Sequence, residues 1–234
     1  MSSVAAATVQ PLVTDRALAR TQAASGLVFA VFLAMHLVTA LASLGGLAAY
    51  DHTLAIVRFY YRLPLVEIVG VVGAALVHIG SGVWRIARRR RDDKARGHAT
   101  RVPLALRLHR WAGWYMMAAF VGHVTATRAP SLFFGMQPNA AFLTTSLVTA
   151  PWFFYPYYAL FAFSGGVHLL HGVQNAPRVL GARMPGVPRR ALPWLGALWA
   201  AAALGIVLAL GGVLYHVAPE HLAPWKALLQ RLLS

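Results

Sequence analysis

Five apolar stretches, at about residues 22–47, 64–87, 108–127, 152–175 and 191–216, constrain this chain more than any other feature. Each is near or above the ~20 residues a helix needs to cross the hydrocarbon core of a bilayer. In lipid the backbone must satisfy its own N–H and C=O groups, and a helix is the open-chain conformation that does so. The composition agrees: 59% of the 234 residues are hydrophobic and 12% are charged, with a mean hydropathy of +0.59. A soluble domain runs nearer about 25% charged. The expected fold is an all-α integral membrane protein with five transmembrane helices. Residues 1–218 are read as one transmembrane domain and 219–234 as an interfacial amphipathic tail carrying Pro224, Trp225, Leu228, Leu229 and Leu232. The connection 128–151, with Leu132, Phe133, Phe134, Met136 and Phe142, is expected to cap the outer end of the bundle. No charged segment precedes an apolar core at the N-terminus, so no cleaved signal peptide is expected. No repeat unit stands out.

Orientation follows from the basic residues. Arg85, Arg88, Arg89, Arg90, Arg91, Lys94, Arg96, Arg101, Arg107 and Arg110 crowd the connection between stretches two and three. Arg178, Arg183, Arg189 and Arg190 follow stretch four, and Arg16 and Arg20 precede stretch one. The opposite side holds only Arg58, Arg62, Arg128, Lys226 and Arg231. The positive-inside rule therefore places the N-terminus in the cytoplasm and the C-terminus outside. Topology and attraction to anionic lipid account for the arginine run, and a docking face for a cytoplasmic partner is the sharper reading. The net charge of +15 is thus not read as a nucleic-acid surface.

The chain has no cysteine, which excludes disulfides, thiolate-held iron–sulfur clusters, covalent C-x-x-C-H haem and cysteine nucleophiles. It has ten histidines. One lies inside each of the first four stretches: His36, His78, His123 and His168. Ionisable groups at membrane depth are costly and mark function by default. At ~1.5 Å of rise per residue, His78 (seven residues from Arg85) and His168 (ten from Arg178) lie nearer the cytoplasm. His123, five residues from Arg128, lies toward the outside, with His36. Two imidazoles facing each other at one level across a bundle suit the two axial positions of a b-type haem iron. The two levels argue against one four-histidine zinc or copper site. A transporter would also carry buried acids, for which only Glu67 qualifies. Gly80 and Gly82 follow His78, Gly165 and Gly166 precede His168, and Gly113 lies ten residues before His123. Such small residues let a flat macrocycle approach a helix, and they serve close helix packing as well.

The text around these histidines resembles the di-haem cytochrome b membrane anchor of the succinate dehydrogenase/fumarate reductase family, the five-helix single-polypeptide type. The residues that carry the resemblance are Gly26 to His36, Leu63-Pro-Leu-Val-Glu67-Ile with His78 eleven residues after the glutamate, His109-Arg110-Trp-Ala-Gly113 with His123 and Thr127-Arg128, and His168-Leu-Leu-His171-Gly172. It spans roughly residues 20–180. His171 departs from the pattern, since the family often has asparagine three residues after the fourth ligand; it suits a propionate or an outer contact rather than the iron.

The resemblance implies two haem b groups, a proximal one on His78 and His168 and a distal one on His36 and His123, with the first four helices forming the haem-binding bundle. It implies a flavoprotein subunit and an iron–sulfur subunit on the cytoplasmic face of the cell inner membrane, and electron transfer to or from menaquinone toward the outer side. The chain would be the quinone-reactive subunit of the oxidoreductase and would not act on succinate itself. Whether the complex oxidises succinate or reduces fumarate is not legible, and a higher oligomer stays open. Arg110, His171 and Arg20 are the inner candidates for haem propionates, and Arg128 the outer one. Ser81 is a candidate partner for the second ring nitrogen of His78. Glu67 is the candidate for quinone-linked proton transfer, with His52, Tyr60, Tyr61 and Arg62 as candidate quinone-site neighbours. Two other readings stand beside this one. One is a cytochrome b subunit of another quinone-linked complex, such as a hydrogenase or formate dehydrogenase. The other is a haemless transporter or structural membrane protein.

Overall fold

The structure, a computed structural model, describes residues 13–97, 102–182 and 186–233. Arg101 and Arg183 of the inner connections, and residues 1–12 and 234 of the terminal segments, lie outside the described residues. The described chain is all-helical and contains no strand. In order, α1 is Val13–Ala42, α2 Leu47–Tyr61, α3 Ala74–Ala95, α4 Leu104–Phe133, α5 Ala140–Thr149, α6 Pro151–Val179, α7 Leu192–Leu210 and α8 Pro219–Leu233. A π-helical segment, Val66–Gly73, runs directly into α3. Three helical segments are long and apolar enough to cross a membrane: Asp15–Gly45, Val66–Ala95 and Leu192–Leu210. α4 and α6 have the length, at 30 and 29 residues, but His109, Arg110, His123 and Arg128 on one and Tyr157, Tyr158, His168 and His171 on the other make them less apolar.

α1 is the central strut. It packs on α3, on α6 and on the returning α2, while α6 also packs on α4 and α7. The chain turns back from α1 through a 3₁₀ turn, Ser43–Gly45, and Gly46, whose φ of 106° suits glycine. Among the described residues, helix packing does not close the side between α3 and α4. α1, α3, α4 and α6 therefore surround an interior space, with α7 outside them against α6.

The connections are more structured than the hydropathy pattern shows. The first interhelical connection contains α2, at 15 residues too short to span. Within 128–151, α4 continues to Phe133 and α5 follows as a buried helix: Leu147, Thr144 and Thr145 are almost wholly inaccessible. Two bonds fix α5. The Asp51 carboxylate accepts from the Ala140 N–H at 2.7 Å. Thr144 Oγ1 donates to the Leu210 carbonyl at 2.7 Å, tying α5 to the end of α7. Tyr50, Ala140, Leu147, Ile206, Val207 and Leu210 form the main apolar cluster there. α7 stops at Leu210, short of the expected 216, because the chain turns at Gly212 with φ 79°.

The tail forms α8, as its amphipathic pattern asks. Its apolar stripe is covered by protein: Leu222, Trp225 and Leu228 pack with Ala141, and the Trp225 ring meets Phe142 at 5.0 Å. Trp225→Ala is expected to destabilise the chain by about 3–5 kcal/mol in chemical unfolding of the detergent-solubilised protein, and to expose α8 to protease. An unchanged unfolding curve would mean that this face meets lipid instead.

Candidate cofactor site

The four interior histidines form two pairs. His36 of α1 faces His123 of α4 with ring centroids 5.8 Å apart and planes at 82°. His78 of α3 faces His168 of α6 at 5.9 Å and 90°. Each pair joins diagonally opposite helices of the four. A transition metal between two imidazoles, with metal–nitrogen bonds of about 2 Å, sets the ring centroids roughly 6 Å apart. Both pairs fit that span. Among the described residues no three His, Cys, Asp or Glu side chains are arranged around one ion.

The tautomers of the inner pair are fixed from behind. His78 Nδ1 lies 2.9 Å from the Gln22 carbonyl, and His168 Nδ1 lies 3.2 Å from the His109 carbonyl. A carbonyl only accepts, so each Nδ1 carries the proton and each Nε2 keeps its lone pair for a ligand. Ser81 does not supply this bond for His78. Its hydroxyl donates to the Val77 and His78 carbonyls, as a serine within a helix commonly does.

Glycines set the approach. A Cβ at Gly26 would sit 2.6 Å from His78 Nδ1, and one at Gly113 would sit 2.9 Å from His168 Cε1. Gly113 thus serves the pair opposite to His123, the histidine that follows it by ten residues. Of the other glycines named beside the histidines, Gly80 has open space around it and three do other work. Gly165 meets Leu37, Gly166 meets the Trp199 ring, and Gly82 meets the Gln22 amide, so these are packing positions. Because Gly26 abuts His78 and His36 lies ten residues further on, the two pairs are separated by about 15 Å along α1.

These contacts expose a pattern that hydropathy hides. On α1 the order is Gln22, Gly26, His36; on α4 it is His109, Gly113, His123, with the same intervals. In both, the first residue supplies a carbonyl and the second supplies room to an imidazole of a neighbouring helix, and the third is itself paired. The chain therefore contains two related helix pairs, α1 with α3 and α4 with α6. The repeated spacing was the available sequence signal, and no residue need be identical across the two helices except the glycine and the histidine.

The interior space has a volume of about 1630 Å³ and is lined by all four histidines, more than a single drug-sized pocket of about 300–1,000 Å³. At its inner end His109, which the sequence reading left without a role, stacks on His168 at 4.0 Å and neighbours His171 at 4.5 Å. His109 Nδ1 is buried without a hydrogen-bond partner. Arg110 and His171 line the space there, as does Arg85, which donates to the Gln22 side chain. Arg20 is exposed and lies outside it.

At the outer end, Arg128 of α4 and Glu67 of the π-helical segment form an ion pair at 2.6 Å, bridging the side that helix packing leaves open. Arg58 and Arg62 of the α2 end join them in the lining, with Tyr61. Arg62 is lowered from its ordinary value by burial first and by the Arg58 charge next. Phe32 stacks on His36 at 5.7 Å and meets Tyr61 edge-on at 5.3 Å, linking the outer histidine pair to the end of α2. The group read as quinone-site neighbours is divided. Tyr61 and Arg62 reach the interior, whereas His52 and Tyr60 line a shallow surface pocket on α2 with Ile56 and Phe59. Their spacing on a helix, unseen in the sequence, puts them on different faces.

Searches of protein-family models, curated proteins and solved structures give no match to this chain. Gly26→Ala and Gly113→Ala are each expected to cost about 1–3 kcal/mol by crowding an imidazole. Gly122→Ala, on α4 with open space around it, is expected to be neutral or slightly stabilising. Unfolding of the three variants in detergent tests the ranking, and equal stabilities would remove the close approach.

Proposed function

We propose that this chain is the di-haem cytochrome b anchor of a succinate:quinone oxidoreductase, with α1, the π segment with α3, α4, α6 and α7 as its five membrane spans. The observation that supports it is the pair of diagonal bis-imidazole sites, at 5.8 and 5.9 Å, in one continuous interior space. On this reading His78 and His168 hold the proximal haem, and His36 and His123 the distal one. Held by two imidazoles each, such groups would supply one-electron transfer rather than oxygen chemistry.

The protein's own contribution is placement. The Gln22 and His109 carbonyls accept from Nδ1–H of His78 and His168, so Nε2 would be the atom left to coordinate. Gly26 and Gly113 keep the neighbouring helices from displacing those rings. α1, which carries Gly26 and His36, ties the two levels together over about 15 Å. The inner end is bounded by Arg85, Arg110, His109 and His171 and faces the cytoplasmic flavoprotein and iron–sulfur subunits. The N-terminus lies on that side of the inner membrane, as the basic-residue asymmetry requires.

Quinone exchange belongs to the outer end. Menaquinone is the expected quinone, and its reduction takes up two protons while quinol oxidation releases two. Glu67 is the carboxylate facing the interior at that level, and its bond to Arg128 holds it there. Glu67 accepts or donates the proton at Oε1 or Oε2; Arg128 positions it.

Four measurements test the proposal. The purified chain, expressed with adequate haem, should show a reducible b-type spectrum at two haems per polypeptide; a colourless protein would overturn the reading. His78→Ala and His168→Ala should each abolish one and the same haem, His36→Ala and His123→Ala the other, and His171→Ala neither. Loss on changing His171 with His168 dispensable would reverse the ligand assignment. Separately, Glu67→Gln should lower quinone turnover by about a hundredfold or more while both haems stay bound, and unchanged turnover would remove the proton-transfer role. Co-purification with a flavoprotein that oxidises succinate would identify the complex.

A further inference from the structure

The short helix α2 belongs to none of the spans, yet it delivers two guanidinium groups to the interior. Arg58 and Arg62 are one helical turn apart and both line the outer end of the space, beside Arg128. Each is anchored on one side only. Arg58 Nη2 donates to the Pro138 carbonyl at 2.6 Å, and Arg62 Nη1 donates to Gln137 Oε1 at 2.7 Å. The Nε–H of each is buried without a partner. Buried donors are almost always satisfied, and two arginines on adjacent turns that each keep an unpartnered Nε–H while their side chains line one space mark a place for an acceptor. The acids nearby are already engaged: Glu67 with Arg128, and Asp51 with the Ala140 N–H. Three cations against two anions leave the group positive, and like charges at i, i+4 repel unless a counter-ion sits between them.

We propose that Arg58, Arg62 and Arg128 form an anion clamp that takes the carboxylates of the porphyrin held between His36 and His123. The inference rests on the di-haem reading. A b-type porphyrin carries two carboxylates on one edge, and guanidinium forks match carboxylates in geometry and charge. The Phe32 ring, in contact with both His36 and Tyr61, sets the outer histidine pair next to the residues that bear the clamp. α2 is then a tether over the distal group, held from outside by the Gln137–Pro138 segment.

The test uses the full-length chain in detergent and reads each haem's retention and midpoint potential, the distal one being that lost in His36→Ala. The Arg58→Gln/Arg62→Gln double variant should lower the distal potential, because nearby cations favour the reduced form. It should also weaken distal haem retention by about tenfold or more, with the proximal haem unmoved as the report of an intact fold. Arg58→Lys/Arg62→Lys should restore most of the potential while retention stays reduced, and Lys226→Gln on α8 should change neither. Haem dimethyl ester, which lacks the carboxylates, should bind the distal site of the wild type as weakly as natural haem binds the Gln variant, and should not distinguish the two proteins. Unchanged distal potential and retention in the Gln variant, or an ester that still distinguishes it from wild type, would overturn the clamp while leaving the di-haem reading intact. A wild-type chain without haem would overturn the di-haem reading itself.

Discussion

An imidazole in the interior of an apolar bundle needs an acceptor for its N–H and a partner for its lone pair, because water is absent to supply either. The four interior histidines organise this fold around that need. Each faces another at nearly 6 Å, and the inner two also turn Nδ1 to a carbonyl on an adjacent helix. Those carbonyls belong to helical residues near the starts of α1 and α4, where the neighbouring helix comes close enough only because Gly26 and Gly113 lack a Cβ. Helix spacing, ring tautomer and ring facing are therefore one requirement met by one arrangement.

The same arrangement explains why the diagonals of the bundle matter more than its edges. Among the described residues, α3 and α4 do not run in close backbone contact. They are linked at the outer end by Glu67 and Arg128, a half-buried ion pair in an apolar setting where Coulomb attraction is weakly screened. Glu67 reaches it from a π-helical stretch, a wider helix that rotates the side chains relative to those of a regular helix and is often found at functional positions. The proposed quinone-linked carboxylate thus sits at a polar junction of the bundle wall.

Much of the site was legible in the chain. Histidines at matching depths in four stretches gave the two levels, and counting from flanking arginines gave their order. Glu67, Arg110, Arg128 and His171 all reach the interior space. What escaped was relational. His109 entered only as part of the text that carries the resemblance, and its stacking on His168 brings it to the inner end of the space. Arg58 looked like a topological charge, and Ser81 like a ring partner. Arg20, a charge of the same kind as Arg110, stays exposed because it lies on the outer face of α1. The Gln22–Gly26–His36 and His109–Gly113–His123 correspondence has only two residue types in common, too few to stand out among apolar helices that all resemble one another.

The chain by itself determined that it is helical, with segments long and apolar enough to cross a membrane, since such runs satisfy their backbone in lipid as helices. It also determined the depths of the four paired histidines, since hydropathy and charge boundaries fix depth along a helix axis. Only the tertiary structure decided which imidazole faces which, that α2 and α5 fold as helices over the outer end, and that the tail closes on α5. Those outcomes depend on rotation about helix axes and on where short connections return, and a one-dimensional pattern fixes neither.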